Sequence, residues 1–249
     1  MSSTIVVIIG FGAFGRLAAR SLSSHAEVLV CDPSPDARRC AQDAGLQTIG
    51  IEEVGRAEIV ILAMPVPALE SCLRQLSPFL RSHQVVLDVC SIKEEPVRMM
   101  QALLPEGVEI LATHPMFGPQ SANDGINGHQ IVTCPVRGRH WRCIVRFLRQ
   151  RLGLRVIIAT PEEHDRQAAL TQGLTHLLAR AINGLGTTPV IRTRSFDLIM
   201  EGLAMVRNDA PEIFEAVVHG NRHVASVRSN FIAALVEESS LSRRIRLTA

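Results

Sequence analysis

A glycine-rich segment near the start of the chain constrains the fold more than any other feature of the sequence. Five apolar residues, Ile5–Ile9, run directly into Gly-Phe-Gly-Ala-Phe-Gly, and a helix-like stretch over residues 16–22 follows. In a G-x-G-x-x-G turn between a strand and a helix, the glycines allow a tight turn, close approach to a pyrophosphate, and helix–strand packing. Asp32 ends the next strand-like run, at the spacing of about 20 residues expected for a ribose-binding acid. Together these features predict a dinucleotide site rather than an ordinary glycine turn.

Strand-like and helix-like segments alternate over the first 160 residues. The further predicted strands are residues 27–31, 58–63, 84–89, 108–113, 129–134 and 154–159, and the predicted helices are 36–44, 66–80, 97–104 and 139–152. This alternation predicts an α/β fold, a Rossmann-type, doubly wound and mostly parallel sheet with helices on both faces. In such sheets ligands bind beyond the carboxyl ends of the strands, so the residues that follow each strand are the candidates for function.

The alternation ends near residue 160. Thr160-Pro161-Glu162-Glu163 is a capping box with proline at the first helical position, and helix-like stretches follow at 164–183, 196–207, 211–219 and 222–246. We therefore expect two domains, a Rossmann-type domain over residues 1–160 and an all-helical C-terminal domain over residues 161–249. The apolar richness of the helical part predicts that it packs against a second copy of itself.

Composition and charge argue against several classes of protein. The formal net charge is +2 over 249 residues, so nothing predicts binding to nucleic acid or to an anionic membrane. The apolar N-terminal stretch lacks a basic n-region, so we do not expect a signal peptide, and no apolar run is long enough to span a bilayer. The six cysteines show neither a C-x-x-C pair nor metal-ligand spacing. We expect a cytoplasmic protein with reduced thiols and no metal site.

Three polar side chains follow predicted strands at the edge where a ligand would bind. Ser91 and Lys93 come after the strand 84–89, and His114 comes after the strand 108–113. Lys93 is the only lysine among the 26 cationic residues, and lysine and arginine are not interchangeable at a site. His114 either ends a strand before a proline turn or serves as a catalytic imidazole beside a rigid loop.

The segment around Ser91 has two interpretations. Ser91 and Glu94 match a capping box, S-x-x-E. Pro96 instead favours a helix that begins at Pro96 with Glu95 as its cap. We favour the second interpretation, which leaves Ser91 and Lys93 in a loop where they are available to a site.

A polar stripe lies on the first helix of the second domain. Gln172, His176 and Arg180 are spaced four residues apart, which places them on one helix face. A solvated face is the usual explanation for such a stripe. The segment is otherwise so apolar that burial is equally expected, and buried polar groups need partners.

Several motifs together resemble those of the prephenate and arogenate dehydrogenases, and the resemblance covers nearly the whole chain. They are GFGAFG, Asp32, DVCSIK over 88–93, THPMFGP over 113–119, the later Q-x-x-T-H-x-x-x-R, and the stretch 195–221. The resemblance implies oxidative decarboxylation of prephenate or arogenate, cyclohexadienol acids, to 4-hydroxyphenylpyruvate or tyrosine, with hydride transfer to NAD. The HPMFGP wording favours relatives that accept arogenate, and the apolar helical part, as noted above, predicts a homodimer.

The resemblance also assigns roles to individual residues. His114 is expected to accept a hydrogen bond from the ring hydroxyl, and Ser91 to orient the imidazole or the hydroxyl. The expected substrate-binding residues are His176, Gln172, Thr175, Arg180, Lys93 and Arg207. The expected cofactor-binding residues are Gly10, Phe11, Gly12, Ala13, Phe14, Gly15, Asp32, Ala63, Met64, Pro65 and Ser91. Some relatives place a carboxylate-binding arginine slightly before the position of Arg207, which leaves the choice between prephenate and arogenate open.

The cofactor and the rival functions follow from single residues. Asp32 suits both ribose hydroxyls and would repel a 2′-phosphate, so NAD is expected in preference to NADP. Arg38 and Arg39 lie inside the next helix and are expected to be poor phosphate ligands.

Two other functions remain as alternatives. One alternative is a β-hydroxyacid dehydrogenase or imine reductase. Such enzymes usually have a lysine on the first helix of the second domain, and this sequence has none there. The other rival is a nucleotide-binding sensor without turnover.

Overall fold

The computed structural model describes residues 4–186, 189–207 and 209–247. The chain divides into two compact units, Met1–His164 and Asp165–Ala249. The first unit contains a β-sheet with helices, and the second consists of helices.

One eight-stranded sheet forms the centre of the first unit, in the order β3-β2-β1-β4-β5-β6-β7-β8. Its strands are β1 (Ile5–Ile9), β2 (Glu27–Cys31), β3 (Gln47–Thr48), β4 (Ile59–Leu62), β5 (Val85–Asp88), β6 (Glu109–Pro115), β7 (Gln130–Arg137) and β8 (Arg155–Ile158). All neighbouring strands are parallel except β6 and β7. The predicted Rossmann-type fold class is confirmed. Strand β3 was not predicted, because two residues are too few to show a periodicity.

The order of the strands reverses between β1 and β4, and in open α/β sheets ligands bind at such a reversal. The chain first winds from β1 outward to β3, then returns to β4 on the other side of β1 and winds the opposite way. A crevice forms at such a switch point, beyond the carboxyl ends of the two strands. The glycine segment follows β1 there, and residues 63–65 follow β4.

Five helices of the first unit pack on the sheet. They are α1 (Ala13–Leu22), α2 (Pro35–Asp43), α3 (Val66–Leu76), α4 (Glu94–Leu103) and α5 (Trp141–Gln150). The central strands are buried on both faces, as Val7 and Ile8 show with no exposed surface. Runs of β-branched residues therefore form these strands, without the alternation of a half-exposed sheet.

Helix α4 begins two residues earlier than the sequence predicted. It starts at Glu94 with Lys93 as its N-cap residue, so Pro96 lies in the first turn and Glu95 is not the cap. Proline is tolerated there because the first-turn N–H groups have no partner within the helix. The capping-box alternative is wrong as well, because no side chain caps this helix.

The second unit is built from helices with two π-helical turns. Helix α6 (Pro161–Ala168) crosses the boundary between the units, and its residues up to His164 belong to the first unit. It is followed by α7 (Leu174–Gly184), α8 (Arg194–Arg207), α9 (Pro211–Phe214) and α10 (Val224–Leu247), with π turns at Ala169–Gly173 and Glu215–Gly220. A small core joins the two π turns to the start of α10. The continuous helix predicted over 164–183 is therefore wrong in detail, since a π turn interrupts it. None of the helices within the described ranges is both long and apolar enough to cross a membrane.

Candidate functional site

The three glycines of the first loop have different surroundings. Gly10 has a φ of +96°, and a Cβ there would lie 2.4 Å from the carbonyl oxygen of Ala63. A Cβ on Gly15 would lie 2.1 Å from the carbonyl oxygen of Gly10. A Cβ on Gly12 would meet nothing within 4 Å. The first and third glycines thus permit close packing, and the second leaves open space above the start of α1, as a pyrophosphate requires.

Asp32 is tied to this loop by hydrogen bonds. Its Oδ2 accepts from the backbone N–H of Phe11 at 2.6 Å, and its Oδ1 accepts from the N–H of Ser34 at 2.8 Å. Arg38 folds back from α2, and its Nη1 donates to the carbonyl oxygens of Asp32 and Pro33, each at 2.8 Å. The carboxylate is therefore fixed beside the loop, and a guanidinium lies closer to it than the sequence suggested.

The end of β4 forms the other wall of the switch point. The N–H of Ala63 donates to the carbonyl oxygen of Ile9 at 2.8 Å, which continues the sheet pairing for one further residue. Met64 follows, and Pro65 is the N-cap residue of α3. The N-termini of α3 and α1 therefore lie at the same edge of the sheet.

The loop after β6 meets the start of α1. The rings of Phe14 and Phe117 lie with their centroids 6.3 Å apart, and Phe117 also packs on His129 at 5.1 Å. The glycine loop and the loop after β6, which are far apart in the sequence, are therefore neighbours in space. An apolar cavity of about 350 Å³ opens below this pair, between α1 and α5, but neither Asp32 nor His114 lines it. We place the site at the sheet edge and not in this cavity.

A buried ion pair supports the ends of β5 and β6. The Lys93 ammonium contacts the Oδ2 of Asp88 and donates to the carbonyl oxygen of Thr113 at 2.5 Å, and both charged side chains have no exposed surface. The Thr113 hydroxyl donates to the Asp88 carbonyl oxygen at 2.5 Å, and the Asp88 carboxylate accepts from the N–H of Cys90 at 3.0 Å. This network connects the loop 89–93 to the backbone immediately before His114.

The predicted role of Lys93 as a substrate ligand needs correction. Its side chain is fully buried, and its ammonium contacts Asp88 and Thr113. Lys93 therefore supports the loop from below and is closed to a substrate in this structure. Ser91, in contrast, is half-buried, and its hydroxyl makes no hydrogen bond to the described part of the chain, so it is free for a ligand.

His114 lies within β6 and not after it, because the strand continues to Pro115 and His114 pairs with Val132 of β7. The side chain of His114 is 3% exposed. Its Nδ1 lies 2.8 Å from the Nε2 of His164, with the two rings edge to face at a centroid distance of 5.0 Å. The structure thus joins His114 to a histidine from the first turns of α6.

The pKa of His114 lies well below its usual value. Burial is the main cause, and the electrostatic effects of the neighbouring His164 and Lys93 lower the pKa further. The imidazole is therefore neutral at physiological pH, as a hydrogen-bond acceptor must be.

This low pKa makes the stability of the protein depend on pH. The unfolded chain binds a proton at His114 below about pH 6.5, whereas the folded chain does not, so acidification favours unfolding. We expect the free energy of unfolding to fall by up to about 1.4 kcal/mol per pH unit below pH 6.5 because of this one group. Denaturant titrations of wild type and His114→Asn from pH 7.5 to 5 measure the effect. If the free energy of unfolding of His114→Asn falls with pH as steeply as that of wild type, the prediction is wrong.

Two of the three predicted stripe residues differ sharply in exposure. His176 is 3% exposed, whereas Arg180 is exposed and lies with its guanidinium 4.6 Å above the ring of Phe214. The His176 Nδ1 lies 2.9 Å from the carbonyl oxygen of Gln172, and its Nε2 lies 3.2 Å from Oδ2 of Asp209. Both partners only accept, so both contacts are hydrogen bonds when the ring is an imidazolium. The stripe thus has a buried and an exposed part, so it is neither a fully solvated face nor a fully buried one.

The other candidates of the second unit also have defined surroundings. Gln172 lies in the π turn, and its buried Oε1 has no hydrogen-bond partner among the described residues. The Thr175 hydroxyl donates to the carbonyl oxygen of Thr171 at 2.6 Å, and Arg207 is exposed at the end of α8. A π turn within a helix often marks a functional site.

Sequence reasoning missed two partners of the candidate residues, His164 and Asp209. His164 follows the capping box that begins at Thr160, so its position in the first turns of a helix was predictable, but its contact with β6 was not. Asp209 follows α8 directly and pairs with His176, which lies 33 positions earlier in the chain. Only tertiary structure brings such distant residues together.

The fold and the glycine loop define a nucleotide-binding domain of the Rossmann type, and comparisons agree. A sequence profile described as the prephenate dehydrogenase nucleotide-binding domain matches residues 17–157. The solved structure of prephenate dehydrogenase from Aquifex aeolicus, in complex with hydroxyphenyl propionate and NAD+, superposes with a TM-score of 0.79 at 22% identity and covers 98% of this chain and 92% of that one. Synechocystis arogenate dehydrogenase gives 0.72 at 16% identity, over 98% and 93% of the two chains.

The chain belongs to the prephenate dehydrogenase family. Arogenate dehydrogenase 2, chloroplastic, from Arabidopsis thaliana is 30% identical over 86% of this chain and 63% of the relative. A probable arogenate/prephenate dehydrogenase from Methanocaldococcus jannaschii is 27% identical over 96% of this chain and 56% of the relative. The chain therefore spans less than two thirds of the length of these curated relatives.

Proposed function

We propose that the protein is an NAD-dependent dehydrogenase that oxidatively decarboxylates arogenate or prephenate to tyrosine or 4-hydroxyphenylpyruvate. The observation that carries this proposal is the neutral, buried His114 at the same sheet edge as the glycine loop and Asp32. Membership of the prephenate dehydrogenase family supports it over a β-hydroxyacid dehydrogenase or an imine reductase.

The residues of the nucleotide site fit a dinucleotide. Gly12 leaves open space at the start of α1, and Asp32 is held where a ribose would lie. The loop residues Phe11, Ala13 and Phe14 complete the turn, and Ala63, Met64 and Pro65 form the wall after β4. When bound, NAD accepts the hydride from the ring carbon that bears the hydroxyl.

His114 handles the proton of that hydroxyl. A neutral imidazole nitrogen accepts a hydrogen bond from the O–H and so stabilises the positive charge that grows on the oxygen as hydride leaves. The C–C bond to the ring carboxylate then breaks, its electron pair makes the ring aromatic, and carbon dioxide departs. The oxygen remains as the phenol of the product, so the proton need only be shared with the imidazole. Ser91, which has an unused hydroxyl, orients the substrate hydroxyl.

We further propose that residues 1–160 bind NAD and residues 161–249 provide substrate binding and dimerisation. In the second unit, Arg180 and Arg207 offer exposed guanidinium groups, which suit the carboxylates of a cyclohexadienol acid. The buried Oε1 of Gln172 lacks a partner in the described chain, whereas the two ring nitrogens of His176 contact the Gln172 carbonyl oxygen and Asp209. Arg180, Arg207, Gln172 and Thr175 are therefore the proposed substrate ligands, and His176 supports them from within the helix. None of the six cysteines, all of which lie in the described ranges, forms a disulfide, which agrees with a reducing, cytoplasmic location.

Asp32 sets the proposed preference for NAD. Its carboxylate would repel a 2′-phosphate, whereas Arg38 stays beside it and would attract one. We expect kcat/KM for NAD to exceed that for NADP by at least about tenfold in wild type, and Asp32→Ser to reverse or abolish this preference. Asp36→Ser, an exposed neighbour, is the control and should leave the ratio unchanged. A wild-type preference for NADP would contradict the assignment.

The proposed homodimer rests on apolar side chains that the second unit leaves exposed. Leu198, Ile199 and Met205 of α8 are 52–58% exposed, and those of α10 reach 61% at Val236. We expect sedimentation to show a dimer, and Leu198→Glu with Ile199→Glu to shift it to monomer. Phe79→Glu, an exposed apolar residue of the first unit, is the control. A wild-type mass that stays monomeric at all concentrations would rule the dimer out.

The function itself is tested by product stoichiometry. With arogenate or prephenate and NAD, we expect one molecule of carbon dioxide to be released and one molecule of cofactor to be reduced for each substrate molecule consumed. A simple β-hydroxy acid serves as the rival substrate and should give neither product. Reduced cofactor without carbon dioxide would favour the rival, and binding of NAD without turnover of any of these substrates would favour a sensor.

A further inference from the structure

The contact between His114 and His164 bears on which ring nitrogen of His114 is protonated. The Nδ1 of His114 and the Nε2 of His164 are 2.8 Å apart, a hydrogen-bond distance. Between two neutral imidazoles, one nitrogen must donate and the other must accept. The direction of this one bond therefore determines whether the remaining nitrogen of His114, Nε2, carries a proton or a free lone pair.

The surroundings of His114 leave its Nε2 available to a ligand. This nitrogen makes no hydrogen bond to the described part of the chain, and it is not completely buried. It thus keeps an opening to solvent although the side chain as a whole is 3% exposed. A group that reacts with a substrate hydroxyl needs such an opening and a free lone pair on that nitrogen.

His164 is held in place beside His114. The backbone N–H of His164 donates to the carbonyl oxygen of Thr160 at 2.9 Å, and the Thr160 hydroxyl accepts from the backbone N–H of Glu163 at 3.1 Å. Pro161 fixes the first residue of the same helix. The His164 side chain is 5% exposed, so the ring has little freedom to turn away from His114.

We propose that His164 is a positioning residue: its Nε2 accepts a hydrogen bond from Nδ1–H of His114 and thereby leaves Nε2 of His114 unprotonated toward the substrate hydroxyl. The inference rests on the proposed function, in which His114 is the acceptor. His164 thus has the role that a carboxylate has beside the histidine of a hydrolase triad, where the partner holds the ring in one tautomer. An imidazole partner gives the same orientation without the negative charge of a carboxylate, which would raise the pKa of His114.

The tautomer is measured directly by nitrogen NMR of protein labelled with ¹⁵N-histidine, at pH 7.5 without substrate. The His114 signals are assigned by their loss in His114→Asn. The inference expects a protonated Nδ1 and an unprotonated Nε2 on His114, and a shift toward the opposite tautomer in His164→Leu. A wild-type His114 protonated at Nε2 overturns it, and so does a tautomer that His164→Leu leaves unchanged.

Kinetics separate positioning from mere packing. His164→Leu should lower kcat about 100-fold with little change in NAD affinity, whereas His164→Gln, whose side-chain oxygen can accept the same bond, should recover activity to within about tenfold of wild type. His25→Leu removes a histidine that packs edge-on to Phe147, away from the site, and should leave kcat unchanged. Equal losses in the Leu and Gln variants overturn the inference. If wild type turns over neither substrate, the proposed function fails, while the NMR experiment still decides the tautomer.

Discussion

Replacing His114 with Asn should cut turnover by about 10²–10⁴-fold, because it removes the acceptor for the hydroxyl proton. Asparagine places a polar atom near the position of Nδ1, so the contact with His164 and the local packing are largely kept. The Nε2 position, which faces the opening, is left empty. Steady-state kinetics with arogenate and prephenate measure the loss, and NAD affinity, measured separately, should stay within about threefold of wild type because His114 does not belong to the glycine loop.

The control for this substitution is His140→Asn, at an exposed histidine that pairs with Glu109. It should leave kcat within about twofold of wild type. Unchanged turnover in His114→Asn would remove the catalytic assignment. A loss of NAD affinity equal to the loss of kcat would mean that His114 supports the nucleotide site instead.

Replacing Lys93 with Met should destabilise the fold by about 3–5 kcal/mol, because it leaves the Asp88 carboxylate buried without its countercharge. The ammonium also donates to the carbonyl oxygen of Thr113, so the backbone before His114 loses a partner as well. Urea unfolding followed by circular dichroism measures the change. This is the largest stability effect that we expect from one side chain of the first unit.

Two further variants show whether the effect comes from buried charge. Arg74→Met removes an ion pair with Glu70 that is more than half exposed on each side, and it should cost at most about 1 kcal/mol. Asp88→Asn combined with Lys93→Met should be less destabilising than Lys93→Met alone, because the lone charge is gone. A Lys93→Met cost as small as that of Arg74→Met would contradict this account of the network.

The sequence predicted the regular part of the fold well, for a physical reason. The buried parallel strands are short runs of β-branched residues, and the predicted strand 27–31 matches β2 residue for residue. The start of α4 and the π turn at Ala169–Gly173 were not predicted. Both depart from ideal helical periodicity, and packing decides them: at Gly173, a Cβ would lie 2.7 Å from a methyl group of Val224.

The candidate site was predicted in part. Gly10, Asp32, Ser91 and His114 lie at one edge of the sheet, because strands β1 to β6 are parallel and their carboxyl ends meet there. The role of the only lysine, Lys93, is not predictable from the sequence, because a lone lysine looks the same whether it contacts a substrate or a buried aspartate. The pairing of His114 with a residue 50 positions later depends on how the chain folds back.

The transfer of hydride from the substrate ring is the central claim, and isotopic labelling tests it most directly. Arogenate or prephenate carrying deuterium on the ring carbon that bears the hydroxyl is incubated with the protein and NAD, and the reduced cofactor is analysed by mass spectrometry. The account predicts one deuterium in each reduced cofactor, together with release of carbon dioxide. Reduced cofactor without deuterium, or no reduction with either substrate, would contradict it.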